Sequence, residues 1–350
     1  MNPDDILVIA PNLKKRWSGV TSTVFRLVPV QAQMIPIACT GPNLPPDLPK
    51  ITFRQILSLK ARTRRVWHAR RNTEMLAGLL VKTVLRKNLA LMFTSAAQRK
   101  HSGYTQWLIR RMDRVVATSS KASAYLEVPN TVIMHGVDSE RFHPAEDKTA
   151  VRADLGLPTD RRLIGVFGRI RAQKGTDIFV DIMIKLAARY PDITGVIMGG
   201  TTSDQQEFLK DLKLRVAAVG MEDRILFLGE QPDASVPAYF RAMDIFVGPQ
   251  RWEGFGLTPL EAMASGVPVA TTRAGAFEDM VVEGETGHVV DIEDAPALEA
   301  AIAQMLDDPE KTARMGRNAR AHVLADFALT REAAALTKIY REALGQDSQA

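Results

Sequence analysis

Residues 251–269 read R-W-E-G-F-G-L-T-P-L-E-A-M-A-S-G-V-P-V. Two carboxylates, Glu253 and Glu261, bracket the turn Gly254-Phe255-Gly256, whose glycines let backbone approach a ligand without Cβ interference. Thr258 reads as a helix N-cap and Pro259 as the first helical residue. A helix start carries amides without intrahelical partners, so the segment Gly254, Phe255, Gly256, Leu257 and Thr258 offers backbone donors to an anion. The arrangement suits a sugar joined to a diphosphate joined to a nucleoside. Glu253 would accept hydrogen bonds from sugar hydroxyls, the amides would hold the diphosphate, and Glu261 would grip a ribose diol. Thr258-x-x-Glu261 is also a capping box, in which Glu261 satisfies the N-cap amide. Glu253, ahead of the turn, has no such capping task.

Outward from this segment, short apolar runs alternate with helical patterns. Strands are expected at residues 163–167, 196–198, 225–228, 245–247 and 267–270, and helices at 177–189, 205–219, 236–242 and 259–264. The strands are apolar on both faces, as in a parallel sheet covered by helices. The βαβ series implies a doubly wound sheet, with ligands outside the carboxyl ends of its strands. The first half repeats the theme less clearly: strands at 6–10, 89–93, 114–117 and 132–134, and helices at 54–71, 73–87 and 103–112. We therefore expect an α/β protein with a Rossmann-like first domain (1–140), a nucleotide-sugar-binding Rossmann-like second domain (141–325), and a last helix (326–350) that could return to the first.

The chain of 350 residues is long enough for two such cores. No N-terminal apolar run exceeds the length of a strand, which argues against a signal segment or a membrane span. The single cysteine, Cys39, precludes internal disulfides and fits a reducing compartment. Charge is divided unevenly. Residues 1–120 hold 20 Lys/Arg against 5 Asp/Glu, and the remainder holds 25 against 35. Such a split points the first half at an anionic surface or substrate, or else leaves it with a solvated basic face.

The string E-G-F-G-L-x-x-x-E-A-M-A-x-G-x-P-V, with two glutamates separated by seven residues, resembles the signature of the retaining glycosyltransferases of family 4. The resemblance implies GT-B architecture, two Rossmann-like domains facing across a cleft, with the donor in the second. Its G-R-x-x-x-x-K-G segment has a counterpart at 168–175, so Arg169 and Lys174 would bind the donor diphosphate. Fixed cations there stabilise the charge that the leaving group gains in the transition state. Arg169, Lys174 and Glu253 are thus the expected catalytic residues. Arg171 would face solvent or the acceptor. Gly19 follows the first strand, where relatives carry a Gly-rich loop that lets the first domain approach the donor. Lys14, Lys15 and Arg16 on that loop, with Arg99, Lys100 and His101, are candidate acceptor contacts. The chain departs from the family pattern in three places. Thr94-Ser95-Ala96-Ala97-Gln98 lacks a histidine found in many relatives, His135 replaces an asparagine, and Ala276 replaces a glycine in a segment where Glu278 has a structural role.

Within the family, the G-R-I-R-x-Q-K-G, I-M-G-G-T-T and R-W-E-G-F-G-L segments look closest to lipopolysaccharide core mannosyltransferases. That likeness implies GDP-mannose as donor, a Kdo-bearing lipid A precursor as anionic glycolipid acceptor, and a peripheral place on the cytoplasmic face of the inner membrane. No Asp-x-Asp occurs, so neither a metal nor a cofactor is expected beyond the donor itself. Residues 54–71 mix Ile56, Leu57, Leu59, Val66 and Trp67 with Lys60, Arg62, Arg64, Arg65, Arg70 and Arg71, a composition suited to a helix on a membrane or docked on its own domain. A UDP-sugar transferase would share every donor motif. A sugar-nucleotide epimerase would need no acceptor. A nucleic-acid-binding protein would use the basic half but leave Glu253 idle, and no recognised nucleic-acid motif is present.

Overall fold

The structure, a computed structural model, describes residues 2–15 and 19–346. The chain forms two units, one containing residues up to Gly136 and from Leu329 onward, the other Val137–Ala328. The division thus falls at 136/137 and 328/329, a few residues from the expected 140 and 325. In the first unit, β1 (Val8–Pro11), β2 (Ile37–Thr40), β3 (Arg65–Ala69), β4 (Leu89–Ser95), β5 (Arg114–Ala117) and β6 (Thr131–Val132) form a parallel sheet in the order β2-β1-β3-β4-β5-β6. Helices α1 (Gly19–Gln31), α2 (Phe53–Ser58), α3 (Asn72–Thr83), α4 (Gly103–Ile109) and α5 (Ser120–Ala124) connect successive strands.

The second unit repeats the scheme. Strands β7 (Arg162–Phe167), β8 (Ile193–Met198), β9 (Ile225–Gly229), β10 (Ile245–Gly248), β11 (Val269–Thr272) and β12 (Gly287–Val290) are parallel in the order β12-β11-β10-β7-β8-β9. Helices α6 (Lys148–Asp154), α7 (Thr176–Arg189), α8 (Gln206–Ala218), α9 (Val236–Ala242), α10 (Leu257–Ala264), α11 (Phe277–Met280), α12 (Ala295–Asp307) and α13 (Pro309–Asp326) accompany them. Phe179, Met183 and Leu186 of α7 pack with Ile164, Ile197 and Ile302 in its core. The last helix, α14 (Leu329–Leu344), belongs to the first unit.

Alternation along the first unit's strands sends successive side chains to opposite faces of the sheet. Val8, Ala10, Ile37 and Val66 join α1 and α14 on one face, while Ile9, Trp67, Leu91 and Phe93 join α2, α3 and α4 on the other. Among the described residues no helix is long and apolar enough to cross a membrane.

The expected helix at 54–71 does not exist. Only Phe53–Ser58 is helical, started by a Thr52–Gln55 capping box, and Arg65–Ala69 is a strand buried along its whole length. Between them, residues 60–64 carry Ala61 as their single apolar side chain, which interrupts any helical stripe. Trp67 is 1% exposed, and its Nε1 donates to the Glu74 carbonyl at 2.8 Å. Arg65, one of the cations of that stretch, is buried because its guanidinium finds carbonyls: Nε donates to Ile6 O (2.9 Å) and Nη1 to Lys60 O (2.9 Å). Strands β2 and β12, four residues each, were not among the expected strands.

Helix α14 is tied to the first sheet by a buried polar chain. His68 Nδ1 lies 2.6 Å from the Tyr340 hydroxyl, and Nε2 lies 2.7 Å from Thr94 Oγ1. Gln31 Nε2 donates to the same Tyr340 oxygen at 3.3 Å. Burial, with the nearby Arg70 charge, holds the His68 pKa well below the usual histidine range. Unfolded, His68 takes up a proton below about pH 6.5. The folded pKa is the lower one, so stability is complete above that pH and is lost as pH falls. Urea unfolding at pH 7.5 and pH 5 should show a loss of up to about 1.4 kcal/mol per pH unit below 6.5 from this group. A His68→Gln protein should show a shallower slope; an unchanged slope would remove His68 from the account.

Candidate active site

Strand order in the second unit reverses between β7 and β10, so the connections that leave these neighbours diverge and open a crevice at their carboxyl ends. The loop after β7 carries Arg169 and Lys174, and the loop after β10 carries Glu253. Arg251 binds the two loops together. Its Nη1 and Nη2 donate to the Asp177 carboxylate at 2.8 Å each, Nη1 also reaches Ala172 O at 2.5 Å, and Nε donates to Glu293 at 3.0 Å. The Arg251 amide donates to Gln173 O at 3.0 Å, and Gln173 Nε2 to Trp252 O at 3.2 Å. Burial opposes ionisation of Asp177, but the hydrogen bonds and charge of Arg251 overcome it and hold its carboxyl below the usual range. Hydrogen bonding to Asp177, against some burial, raises the Arg251 pKa in turn. Gly175 makes the close approach possible. At φ +71° a Cβ there would stand 1.9 Å from Pro249 O.

Within this frame Lys174 Nζ forms an ion pair with Glu253 Oε2, and Glu253 Oε1 accepts from the Gly254 amide at 3.0 Å. Two residues assigned to different parts of a ligand are therefore in direct contact. Arg169 is exposed. Arg171 is half-buried, its Nε enclosed without a hydrogen-bond partner among the described residues. Helix α10 begins at Leu257 with Gly256, not Thr258, at the N-cap, and no side chain caps it. The capping-box reading of Thr258 and Glu261 fails for that reason. Gly256 stands at φ +89°, where a Cβ would meet Phe277 Cε1 at 2.2 Å, so the turn closes against an aromatic wall. Pro259 falls at the third helical position, still among the orphan donors, where its missing N–H costs no helical bond. The amides of Leu257 and Thr258 start the helix, and Glu261 is buried one turn on. Phe255 is buried, with its carbonyl accepting from the Ala276 amide at 3.0 Å. Glu278 pairs with Arg273 at 2.7 Å.

The other candidates lie in the first unit. Gly19 opens α1, and among the described residues a Cβ there would meet nothing within 4 Å. Lys14 and Lys15 are exposed after β1; Arg16 lies outside the described residues. Arg99 and Lys100 are exposed after β4. His101 is half-buried, 3.4 Å from Ser95 Oγ, and burial together with the Arg99 charge lowers its pKa. His135 binds Glu332 of α14 at 2.8 Å, a structural contact. Sequence reading missed a polar cluster where the first unit's strand order reverses, between β1 and β3. Arg71 Nη1 donates to Asn12 Oδ1 (2.8 Å) and Glu74 Oε1 (2.7 Å), and Nη2 to Thr21 Oγ1 (2.8 Å). Glu74 Oε2 also accepts from the Arg70 amide at 2.8 Å. The four residues are scattered in sequence and carry no motif; a glutamate in the first turn of α3 was the only signal.

Arg251 was quoted in the opening motif without a role, and its contacts give it one. Lysine cannot reproduce a two-pronged bond to a carboxylate. Arg251→Lys should lower kcat/KM at least tenfold, since charged hydrogen bonds are each worth about 1.5–3 kcal/mol and about 1.4 kcal/mol is tenfold. Both partners remain partly exposed, so the unfolding midpoint should move little. Steady-state kinetics beside a thermal melt would check both halves.

Residues 147–322 match the family model described as glycosyl transferases group 1. The chain is 51% identical over 348 residues to the lipopolysaccharide core biosynthesis mannosyltransferase LpcC of Rhizobium leguminosarum bv. viciae, covering 98% of each chain. It is 49% identical to the corresponding LpsB of Rhizobium meliloti (strain 1021), covering 96% of this chain and 97% of that one. In fold it resembles Anabaena Alr3699/HepE, solved in complex with UDP, at TM-score 0.82 and 18% identity, covering 96% of this chain and all of the other. With its two parallel Rossmann-like sheets and its near full-length likeness to these enzymes, the chain belongs to the glycosyl transferase group 1 family and is a glycosyltransferase of the GT-B fold class.

Proposed function

We propose that this glycosyltransferase moves mannose from GDP-mannose to a Kdo-bearing lipid A acceptor of the lipopolysaccharide core, with retention at the anomeric carbon and without a metal ion. The observation that carries the reading is the Lys174–Glu253 pair at the β7/β10 reversal, beside the first amides of α10. A cation, a carboxylate and helix amides on adjoining loops match the three parts of a sugar diphosphate. Lys174 and Arg169 stabilise the diphosphate as it departs, doing what a divalent ion does in other transferases. Glu253 orients the sugar through its hydroxyls, and Glu261 holds the ribose diol. The acceptor hydroxyl attacks the anomeric carbon from the side the diphosphate leaves. One carbon–oxygen bond breaks, another forms, and the hydroxyl proton passes to the departing phosphate oxygen.

The choice of mannose and of a core acceptor is supported by the near full-length likeness to LpcC and LpsB. The acceptor is anionic and lipid-borne, which agrees with 20 basic against 5 acidic residues among the first 120 and assigns the work to the cytoplasmic face of the inner membrane. Lys14, Lys15, Arg16, Arg99, Lys100 and His101 are the acceptor contacts of this reading. No cofactor is required beyond the donor.

Incubation with GDP-mannose or UDP-glucose and a Kdo-bearing lipid A, followed by mass spectrometry, should give a single hexose addition from GDP-mannose alone. GDP should raise the thermal midpoint and UDP should not; the reverse would overturn the donor assignment. Lys174→Ala should cost at least tenfold in kcat/KM, on the order of one charged hydrogen bond lost in the transition state.

A further inference from the structure

We propose that the outer surface of α2, α3 and α4 docks on an anionic lipid bilayer. These helices turn Ile56, Met75, Val81, Leu108 and Ile109 inward against Trp67 and Leu91. A helix that covers a sheet is ordinarily polar on its outer side. Here the outer side carries Phe53, Leu57, Leu80, Val84, Tyr104 and Trp107, from 42% exposed at Trp107 to 68% at Val84. The opposite face of the same sheet differs: among the described residues, α1 and α14 expose no large apolar side chain. Polar contacts link α3 to both neighbouring helices. Lys82 of α3 pairs with Asp113 just beyond α4 at 2.8 Å, and Lys87, just beyond α3, donates to Leu57 O of α2 at 2.7 Å.

The chemistry selects a bilayer over other occupants. Residues 53–114 contain fifteen lysines and arginines against two acids, Glu74 and Asp113. Glu74 is buried against Arg71, Asp113 is engaged by Lys82 and Glu127 by Arg110, which leaves Arg54 next to Phe53, Arg86 two residues beyond Val84, and Arg111 over the Trp107 ring. Tyr104 and Trp107 stack with centroids 6.3 Å apart, and the Arg111 guanidinium lies 3.9 Å above the Trp107 ring. Aromatic rings with polar tips beside cations suit the headgroup boundary, and juxtamembrane cations are drawn to anionic lipid. A second copy would bring the same positive charge into contact with itself. A nucleic acid would use the arginines but leave Leu80 and Val84 without purpose. Of residues 54–71, only the short helix α2 takes part, since β3 is interior.

The proposal deepens the reading of a lipid-borne acceptor and rests on it for its purpose, yet its test contains neither donor nor acceptor, so either can fail alone. Full-length protein is sedimented with phosphatidylcholine vesicles, with or without about one-third phosphatidylglycerol. Binding should be at least roughly tenfold tighter to the anionic vesicles. Val84→Asp and Trp107→Ser should each weaken it by about tenfold while leaving the thermal midpoint in place, because both positions are exposed. Brominated lipid should quench tryptophan emission, and Trp107→Phe should abolish most of that quenching. Equal binding by wild type and Val84→Asp, or quenching that survives Trp107→Phe, would overturn the proposal. So would self-association through Val84 and Trp107 with no vesicle binding, which would assign the face to a second copy.

Discussion

The second unit's site depends on one guanidinium. Arg251 is gripped by Asp177 at the start of α7, by Glu293 and by the carbonyl of Ala172, and so holds the loop after β10 to the loop after β7. Neither loop has a ladder of its own, and loops left to themselves sample many shapes. The bridge converts two separate connections into one rim, on which Lys174 and Glu253 meet. Fixed groups that need no rearrangement at the moment of reaction are worth more to a transition state than the same groups on mobile arms. The loops approach this closely because Gly175 has no side chain to push Pro249 away.

Legibility of the sequence tracked how local the cause was. Five of the second unit's six strands were readable, because each apolar run lies within a few residues of sequence, whereas β12 was not. Residues 54–71 misled because composition alone resembles an amphipathic helix. What decided the matter was long-range: β3 lies between β1 and β4, and only the assembled sheet supplies the carbonyls that make a buried Arg65 tolerable. Thr258 misled for the converse reason. It has the right chemistry for a cap, but Gly256 already turns the chain with a positive φ, so the helix starts two residues early. The Arg71, Glu74, Asn12 and Thr21 cluster could not be read at all, since its members meet through sheet order rather than spacing.

Both units therefore place a polar assembly where strand order reverses. In the second, the cation and carboxylate are partly exposed, with side-chain exposures of 21% for Lys174 and 17% for Glu253. In the first, Glu74 is wholly buried and Arg71 nearly so. A partly open pair can exchange its partner for a ligand, whereas a closed one is suited to hold the β1–α1 loop in shape. The same fold feature thus carries a partly open ion pair in one unit and a closed one in the other.

The chain passes between the units twice, at 136/137 and 328/329, with the Val137 amide bonded to Phe327 O at 2.8 Å. One consequence concerns the order of assembly during synthesis. The second unit is a single uninterrupted stretch, complete when Ala328 has left the ribosome. The first unit begins earlier but is finished later, because Tyr340, the hydroxyl that engages His68 and Gln31, is made after the whole of the second unit. Until then one face of its sheet, the one that includes Val8, Ile37 and Val66, lacks the cover of α14. For this chain the unit that begins first waits for a helix made after the second unit is complete.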